Sequence, residues 1–345
     1  MELPRYDRNQ TYAWNYDHAP SPVEVSEPTV PGEWKFCGLP VASPLGMPAG
    51  PLLNGRWCLF YASLGFDVLT YKTVRSRERA CYDLPNLEPV ICGQLRGGEE
   101  NLPSTNDMQG SWAVAFGMPS KPPEQWRADV EATRKALPKQ KLLSVSVVAS
   151  IQEGWTEDDL ANDYAQCARW AVDSGADAIE TNFSCPNVST CDGQLYQQPD
   201  AAARTAARVR EAIGGVPYIV KIGHIPHEDE GAALIEALSP HVDALATTNS
   251  VATTVVKDGK PLFDGEKRGI CGSGILEASL EQTAMLSRGI RKGQHALEII
   301  GVGGVSTADD VKRYLDAGAH AVHVATAAMI HPAVGLELRK GFAAQ

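Results

Sequence analysis

The sequence predicts an α/β fold, a closed (β/α)8 TIM barrel with insertions at the C-terminal face. Three observations carry that expectation. Eight short apolar runs alternate with stretches of helical periodicity. The same punctuation, a helix closed by glycine and followed at once by a buried strand, recurs at SLGFD (63–67), SGAD (174–177) and AGAH (317–320). The chemically unusual residues gather where the runs end, which is the functional face of such barrels.

Strands are expected at 44–50, 67–73, 142–149, 177–184, 217–223, 242–249, 297–303 and 320–326. Helices fit 54–64, 123–137, 156–174, 200–213, 228–238, 276–292, 307–316 and 331–342. The third helix shows the reasoning: Thr156 is an N-cap before acidic residues, and Leu160, Tyr164, Cys167, Ala168, Ala171 and Val172 follow at helical spacing. Alternation implies parallel pairing, and eight units imply closure. A doubly wound open sheet is the alternative. It normally places G-x-G-x-x-G after its first strand, and PAGPLL (48–53) does not match. Two excursions, 74–122 and 251–275, interrupt the alternation and are long enough to roof a site. The chain is expected to divide into a polar arm, residues 1–36, and one catalytic barrel, residues 37–345, with the arm covering the barrel floor or a neighbouring subunit.

Composition narrows the function classes. A formal charge of -11 disfavours nucleic acid and anionic membranes as partners. No run approaches the roughly 18–20 apolar residues of a membrane span, and MELPRYDRNQTYAWNYDHAP lacks a signal-peptide apolar segment, so the expectation is a soluble, cytoplasmic protein. The eight cysteines form no C-x-x-C pair and the eight histidines no metal-ligand spacing; free thiols and no metal are expected.

Lys72, Asn182 with Cys185, Lys221, Asn249 with Ser250, Gly303 with Gly304, and Thr326 fall at strand ends two and four to eight. In GVGGVS (301–306) and VATA (324–327), small residues after strands seven and eight let backbone N–H groups approach a phosphate. Tight packing where strand turns into helix is the alternative for either loop alone. Lys72 and Lys221 end apolar strands, where an unpaired cation is costly to bury. Two such lysines at one mouth point to an anionic partner with a phosphate and a second developing charge. A flavin, whose ring is negative when reduced, fits both.

N-F-S-C-P-N (182–187), the strand-ending K-T (72–73), V-K-I (220–222), T-N-S (248–250), I-I-G-V-G-G-V (299–305) and A-T-A (325–327) together resemble the dihydroorotate dehydrogenase family, over roughly residues 38–340. The resemblance implies FMN across the barrel mouth, its phosphate on Gly303, Gly304, Ala325 and Thr326, with Ala49, Gly50, Lys72, Thr73, Asn182, Lys221 and Gly272 against the rest. Lys221 would stabilise charge at the N1/O2 edge of the ring, and Lys72 would sit between flavin and substrate. Asn182, Asn187, Asn249 and Ser250 would hydrogen-bond the amide-like edges of a dihydropyrimidine, since an asparagine pairs a donor with an acceptor. The implied reaction takes (S)-dihydroorotate to orotate, with a proton lost from C5 and a hydride from C6 to flavin N5. Cys185 is the candidate base, grouped with Ser184 and Lys72 as catalytic; a buried structural cysteine is the alternative. A thiol titrates near roughly 8.5, and nearby lysines would lower that. Cysteine at this place marks the family's soluble class, which implies a homodimer and a soluble electron acceptor or separate redox subunit.

One segment departs from the family pattern. Where the family has I-N-S-x-G-x-P-N, this chain reads AVAFGMPS (113–120). Phe116, Gly117 and Met118 keep the backbone expected to hold the substrate carboxylate, but Val114 and Ala115 stand where asparagine and serine should. A gapped match instead uses Thr105, Asn106 and Asp107. Dihydrouracil or a modified pyrimidine is therefore the alternative substrate, and a non-catalytic flavin-binding barrel is a third reading. The loop 188–195 is a lid or a plain surface loop, and its Cys191 competes with Cys185 because the related dihydropyrimidine dehydrogenases carry their reactive cysteine further along this loop.

Overall fold

The computed structural model describes residues 3–108, 110–184 and 194–343. Eight parallel strands close into a barrel, each hydrogen-bonded to the next in chain order. They are β1 (Leu45–Met47), β2 (Val68–Val74), β3 (Leu142–Val147), β4 (Ala178–Asn182), β5 (Tyr218–Lys221), β6 (Ala244–Thr247), β7 (Glu298–Val302) and β8 (Ala321–His323). Closure is made by Val322 and His323 of β8 against Leu45 and Gly46 of β1. This excludes the open sheet.

Helices α1 (Gly55–Ala62), α2 (Pro123–Ala136), α3 (Glu157–Asp173), α4 (Pro199–Ile213), α5 (Glu228–Leu238), α6 (Leu276–Gly293), α7 (Ala308–Asp316) and α8 (Val334–Ala343) follow the strands in turn. Two of them begin with reciprocal caps, Thr156 with Asp159 on α3 and Thr307 with Asp310 on α7, each satisfying amides that the first turn leaves unbonded. The recurring glycines end helices as expected. Gly65, Gly175 and Gly318 all have φ between 94° and 104°, and a Cβ at Gly318 would stand 2.1 Å from the Ser287 hydroxyl. Each turn then feeds a ladder bond to the preceding strand: Asp67 N–H to Leu45, Asp177 N–H to Leu143 and His320 N–H to Ile299.

The two excursions meet. Leu87–Pro89 and Ser111–Val114 from the first join Val251–Thr253 and Arg268–Gly272 from the second in a four-stranded antiparallel sheet. That sheet contributes Leu87, Trp112, Val114, Cys271 and Gly272 to the large cavity at the barrel mouth.

The opposite end is apolar. The hairpin Trp34–Phe36 and Leu39–Val41 puts Phe36 against Val68, Leu142, Ala178, Ile219, Ala244 and Ala321, all under 9% exposed. Each large apolar side chain so buried contributes on the order of 1.5–3 kcal/mol. The rest of the arm lies along the barrel: Tyr6 and Tyr12 meet the ring of Phe116, and the Trp57 indole N–H donates to the Asn15 carbonyl at 3.0 Å.

At the start of β2, the buried Asp67 carboxylate takes Lys141 Nζ at 3.1 Å, Arg339 Nη2 at 2.5 Å and the Ser43 hydroxyl. Lys141 also pairs with Glu27 at 2.9 Å, and Arg339 donates to the carbonyls of Pro28 and Gly65. The cluster thus ties the arm, three strand starts and α8 together. Among the described residues no helix is long and apolar enough to cross a membrane, and Cys37, Cys58, Cys81, Cys92, Cys167 and Cys271 are free.

Candidate active site

Alternation along the strands decides which side chains enter the barrel. Ile219 packs in the apolar floor, so Lys221, two residues on, projects into the interior nearer the mouth. The same step from Val68 reaches Thr70 and Lys72, from Ala178 it reaches Glu180 and Asn182, and from Ala321 it reaches His323. The interior therefore passes from apolar to polar toward the strand C-termini.

A cavity of about 370 Å³ opens there, within the roughly 300–1,000 Å³ of small-molecule sites. Nine residues singled out from sequence line it: Gly50, Phe116, Lys221, Asn249, Gly272, Gly303, Gly304, Ala325 and Thr326. Ser184 and Ser250 instead line an adjoining polar cleft of about 300 Å³ with Arg96, Tyr196, Gln197 and His224. Asn249 joins the two spaces, because its Nδ2 donates to the Ser184 carbonyl at 2.9 Å. Asn182 Oδ1 accepts the Ser184 N–H at 3.0 Å from the other side. Two asparagine side chains thus clip the backbone of Ser184, and each keeps further hydrogen-bonding capacity.

Ala49, Lys72, Thr73, Asn182, Gly117 and Met118 line neither space directly. Ala49 is buried between Pro48 and Gly50, which do line the cavity. The Lys72 side chain is buried, and its backbone N–H donates to the Leu52 carbonyl at 2.9 Å. Thr73 Oγ1 bonds Ser146 Oγ at 3.0 Å. Gly117 has φ 71°, and a Cβ there would meet the Tyr82 ring at 2.7 Å; the Met118 carbonyl accepts from Arg75 Nε at 3.1 Å. The turn carrying Phe116 is therefore held between the Tyr82 ring and the Arg75 side chain. Cys185, Asn187 and Cys191 lie outside the described residues.

The loops after β7 and β8 form one wall. Gly303 and Gly304 have φ of 132° and 74°, and a Cβ on Gly304 would stand 2.6–2.9 Å from Leu276 Cβ, Cα and N at the start of α6. Only glycine lets this loop come so close. Thr326 opens a short helix, Thr326–Ile330, so strand eight ends at His323 rather than running to 326.

Two groups in the cavity were not singled out from sequence. The Cys271 thiol is pushed up to about 11 by burial, with Lys221 opposing the shift. His323 is 1% exposed, lines the cavity, and has neither ring nitrogen hydrogen-bonded among the described residues. Burial, with the Lys221 charge adding, lowers its imidazole to about 3, so the ring is neutral at ordinary pH. The signal was present in AVHVA: alternation puts His323 on the inward side with Ala321.

These residues fit a flavin phosphate and ring. The Gly303–Gly304 loop, packed on the start of α6, lines the cavity, Gly50 has open space where a Cβ would be, and Lys221 supplies a donor in the same cavity.

Comparison with known proteins gives the family and the fold. A family model described as dihydroorotate dehydrogenase matches residues 33–341. A dihydroorotate dehydrogenase of Dictyostelium discoideum is 29% identical over 362 aligned residues, covering 98% of this chain and 97% of that protein. The catalytic subunit of dihydroorotate dehydrogenase B (NAD(+)) of Bacillus mycoides is 33% identical over 179 residues, 50% of this chain and 55% of that one. The crystal structure of DHODH from Eimeria tenella in complex with ferulenol superposes with a TM-score of 0.74, covering 96% of this chain and 88% of that one; at 18% identity this is a likeness of fold.

Proposed function

The chain belongs to the dihydroorotate dehydrogenase family, and on that premise we propose that it oxidises (S)-dihydroorotate to orotate with FMN as cofactor. The observation that carries the reading is the single cavity that joins Lys221, Asn249 and the Gly303–Gly304 loop at the strand C-termini.

Bound FMN supplies the acceptor for two electrons and the C6 hydrogen of the substrate. The chain's own residues do the rest. Backbone N–H groups around Gly303, Gly304, Ala325 and Thr326 hold the phosphate, with Gly50 and Gly272 giving the ring close approach. Lys221 places an ammonium where charge develops. Asn249 and Asn182, anchored on Ser184, offer their remaining amide groups to the substrate ring, with Asn187 and Ser250 completing the set. Backbone at Phe116–Met118 receives the carboxylate, and Lys72 adds positive charge from β2. Cys185, next in the chain after Ser184, takes the C5 proton.

A second substrate reading, dihydrouracil or a modified pyrimidine, is favoured by one observation. Val114 lines the cavity with an apolar side chain, whereas the exposed loop holding Asn106 does not line it. The acceptor that follows is a soluble oxidant or a separate redox subunit, and the protein works as a cytoplasmic homodimer. Light scattering that gives one chain's mass would refute the dimer.

The visible spectrum under anaerobic conditions tests the whole reading. Bleaching of the FMN band by dihydroorotate supports it, bleaching by dihydrouracil alone moves the substrate, and failure to take up FMN at all overturns it.

A further inference from the structure

The proposed reaction gives His323 no task, although both its ring nitrogens are buried and unbonded among the described residues. It ends β8 facing inward, paired through the backbone with Val302 and Gly46. Its ring lies over Phe36 of the floor hairpin, centroids 5.9 Å apart and planes at 11°. β1 makes room for it, since a Cβ on Gly46 would stand 2.5 Å from ring atoms Cδ2 and Nε2. So the ring is held by Phe36 and the Gly46 backbone, and it also lines the cavity.

Packing alone does not account for an imidazole there. Its two polar atoms are buried and unbonded among the described residues, a costly arrangement that an aliphatic side chain would avoid. A ligand in the cavity would supply a partner. Lys221 lines the same cavity, and its charge acts on the His323 ring. An ammonium has donors only, and a neutral imidazole has one N–H and one lone pair. Two donors lining one cavity call for an acceptor-rich edge, such as the N1 and C2=O edge of an isoalloxazine ring.

We propose that His323 is a cofactor-binding residue, donating a hydrogen bond from the cavity floor to the pyrimidine edge of the flavin that Lys221 also holds. The inference rests on the FMN reading. Negative charge gathers at that edge on reduction, so a donor there favours the reduced flavin over the oxidised one. His323 acts as a second donor beside Lys221 without adding a second buried cation.

The test compares the wild-type protein with His323→Leu, which has no donor, and His323→Gln, which keeps one. FMN affinity is measured by fluorescence titration of the apoprotein, and the midpoint potential by anaerobic reduction against a reference dye. The expected result for His323→Leu is a roughly tenfold loss of preference for reduced FMN, which for a two-electron couple is about 30 mV more negative. His323→Gln should return most of that shift. An unchanged potential in His323→Leu, with wild-type protein binding FMN normally, overturns this inference and leaves the cofactor reading intact. Failure of the wild-type protein to bind FMN overturns that reading itself. Should the leucine variant not fold, nitrogen NMR of histidine-labelled wild-type protein decides: a ring-nitrogen resonance of His323, assigned with His323→Gln, must move when FMN is added, and a fixed resonance refutes the hydrogen bond.

Discussion

Replacing Asp67 with alanine strips the shared acceptor from Lys141, Arg339 and the Ser43 hydroxyl at once. All four groups are less than 5% exposed, so water cannot take the carboxylate's place without opening the packing. Removing one partner of a buried ion pair costs about 3–5 kcal/mol, because a charge is stranded. Lys141 keeps Glu27 and Arg339 keeps two carbonyls, which places the expected loss within that range rather than above it. An unfolding entropy of about 2.1 cal/mol/K per residue over 345 residues gives roughly 0.7 kcal/mol/K, and hence a Tm lower by about 4–7 °C. Scanning calorimetry measures the shift, and an FMN titration run beside it should show unchanged affinity, since Asp67 lies at the strand end opposite the cavity. Adding Arg339→Met should recover part of the loss by removing the stranded charge. A Tm within about 1 °C of wild type would refute the reasoning, and would mean that this cluster is worth no more than a surface ion pair.

Three further outcomes are expected. Gly304→Ala forces a methyl against the Leu276 backbone at a φ that costs about 1–2 kcal/mol for an L-residue, and FMN titration should show greatly weakened binding; wild-type affinity would remove this loop from the phosphate site. Cys185→Ala should keep FMN and slow its anaerobic bleaching by substrate by orders of magnitude, and an unchanged bleaching rate would transfer the base to another residue, with Cys191 tested next. The His323 imidazole is near 3 in the folded chain against roughly 6.5 unfolded, so the unfolded state binds the extra proton between those values and stability falls as pH drops below 6.5. Between pH 7 and pH 5 this group alone should cost about 2 kcal/mol. Urea unfolding of His323→Leu should lack that share of the pH dependence, and matching slopes for the two proteins would contradict the buried neutral ring.

The barrel was legible because its signals are local: each apolar run and each helix-closing glycine announces itself within a few residues. What escaped is what depends on distant segments. Nothing near Leu87 or Arg268 says that both will join the strand at Ser111, since that pairing spans more than 150 residues between Ser111 and Arg268. The floor hairpin was cut by the expected boundary at 36/37 because its strands are three residues each and its turn is set by Cys37 and Gly38 at positive φ. Strand eight was read too long because Val324 and Ala325 continue the apolar run, although the chain turns into the Thr326–Ile330 helix. At the site, Lys221, Asn249 and the glycine loop were visible as polar or small residues at strand ends. His323 ends the strand itself, three residues before the expected end at 326, and was read as part of the apolar run.

The hairpin under the barrel makes the molecule a vessel with one mouth. Among the described residues, Phe36 and the apolar side chains around it close the floor, so a polar molecule enters and leaves at the strand C-termini. A group held near Lys221 therefore shares its way out with anything seated nearer the rim.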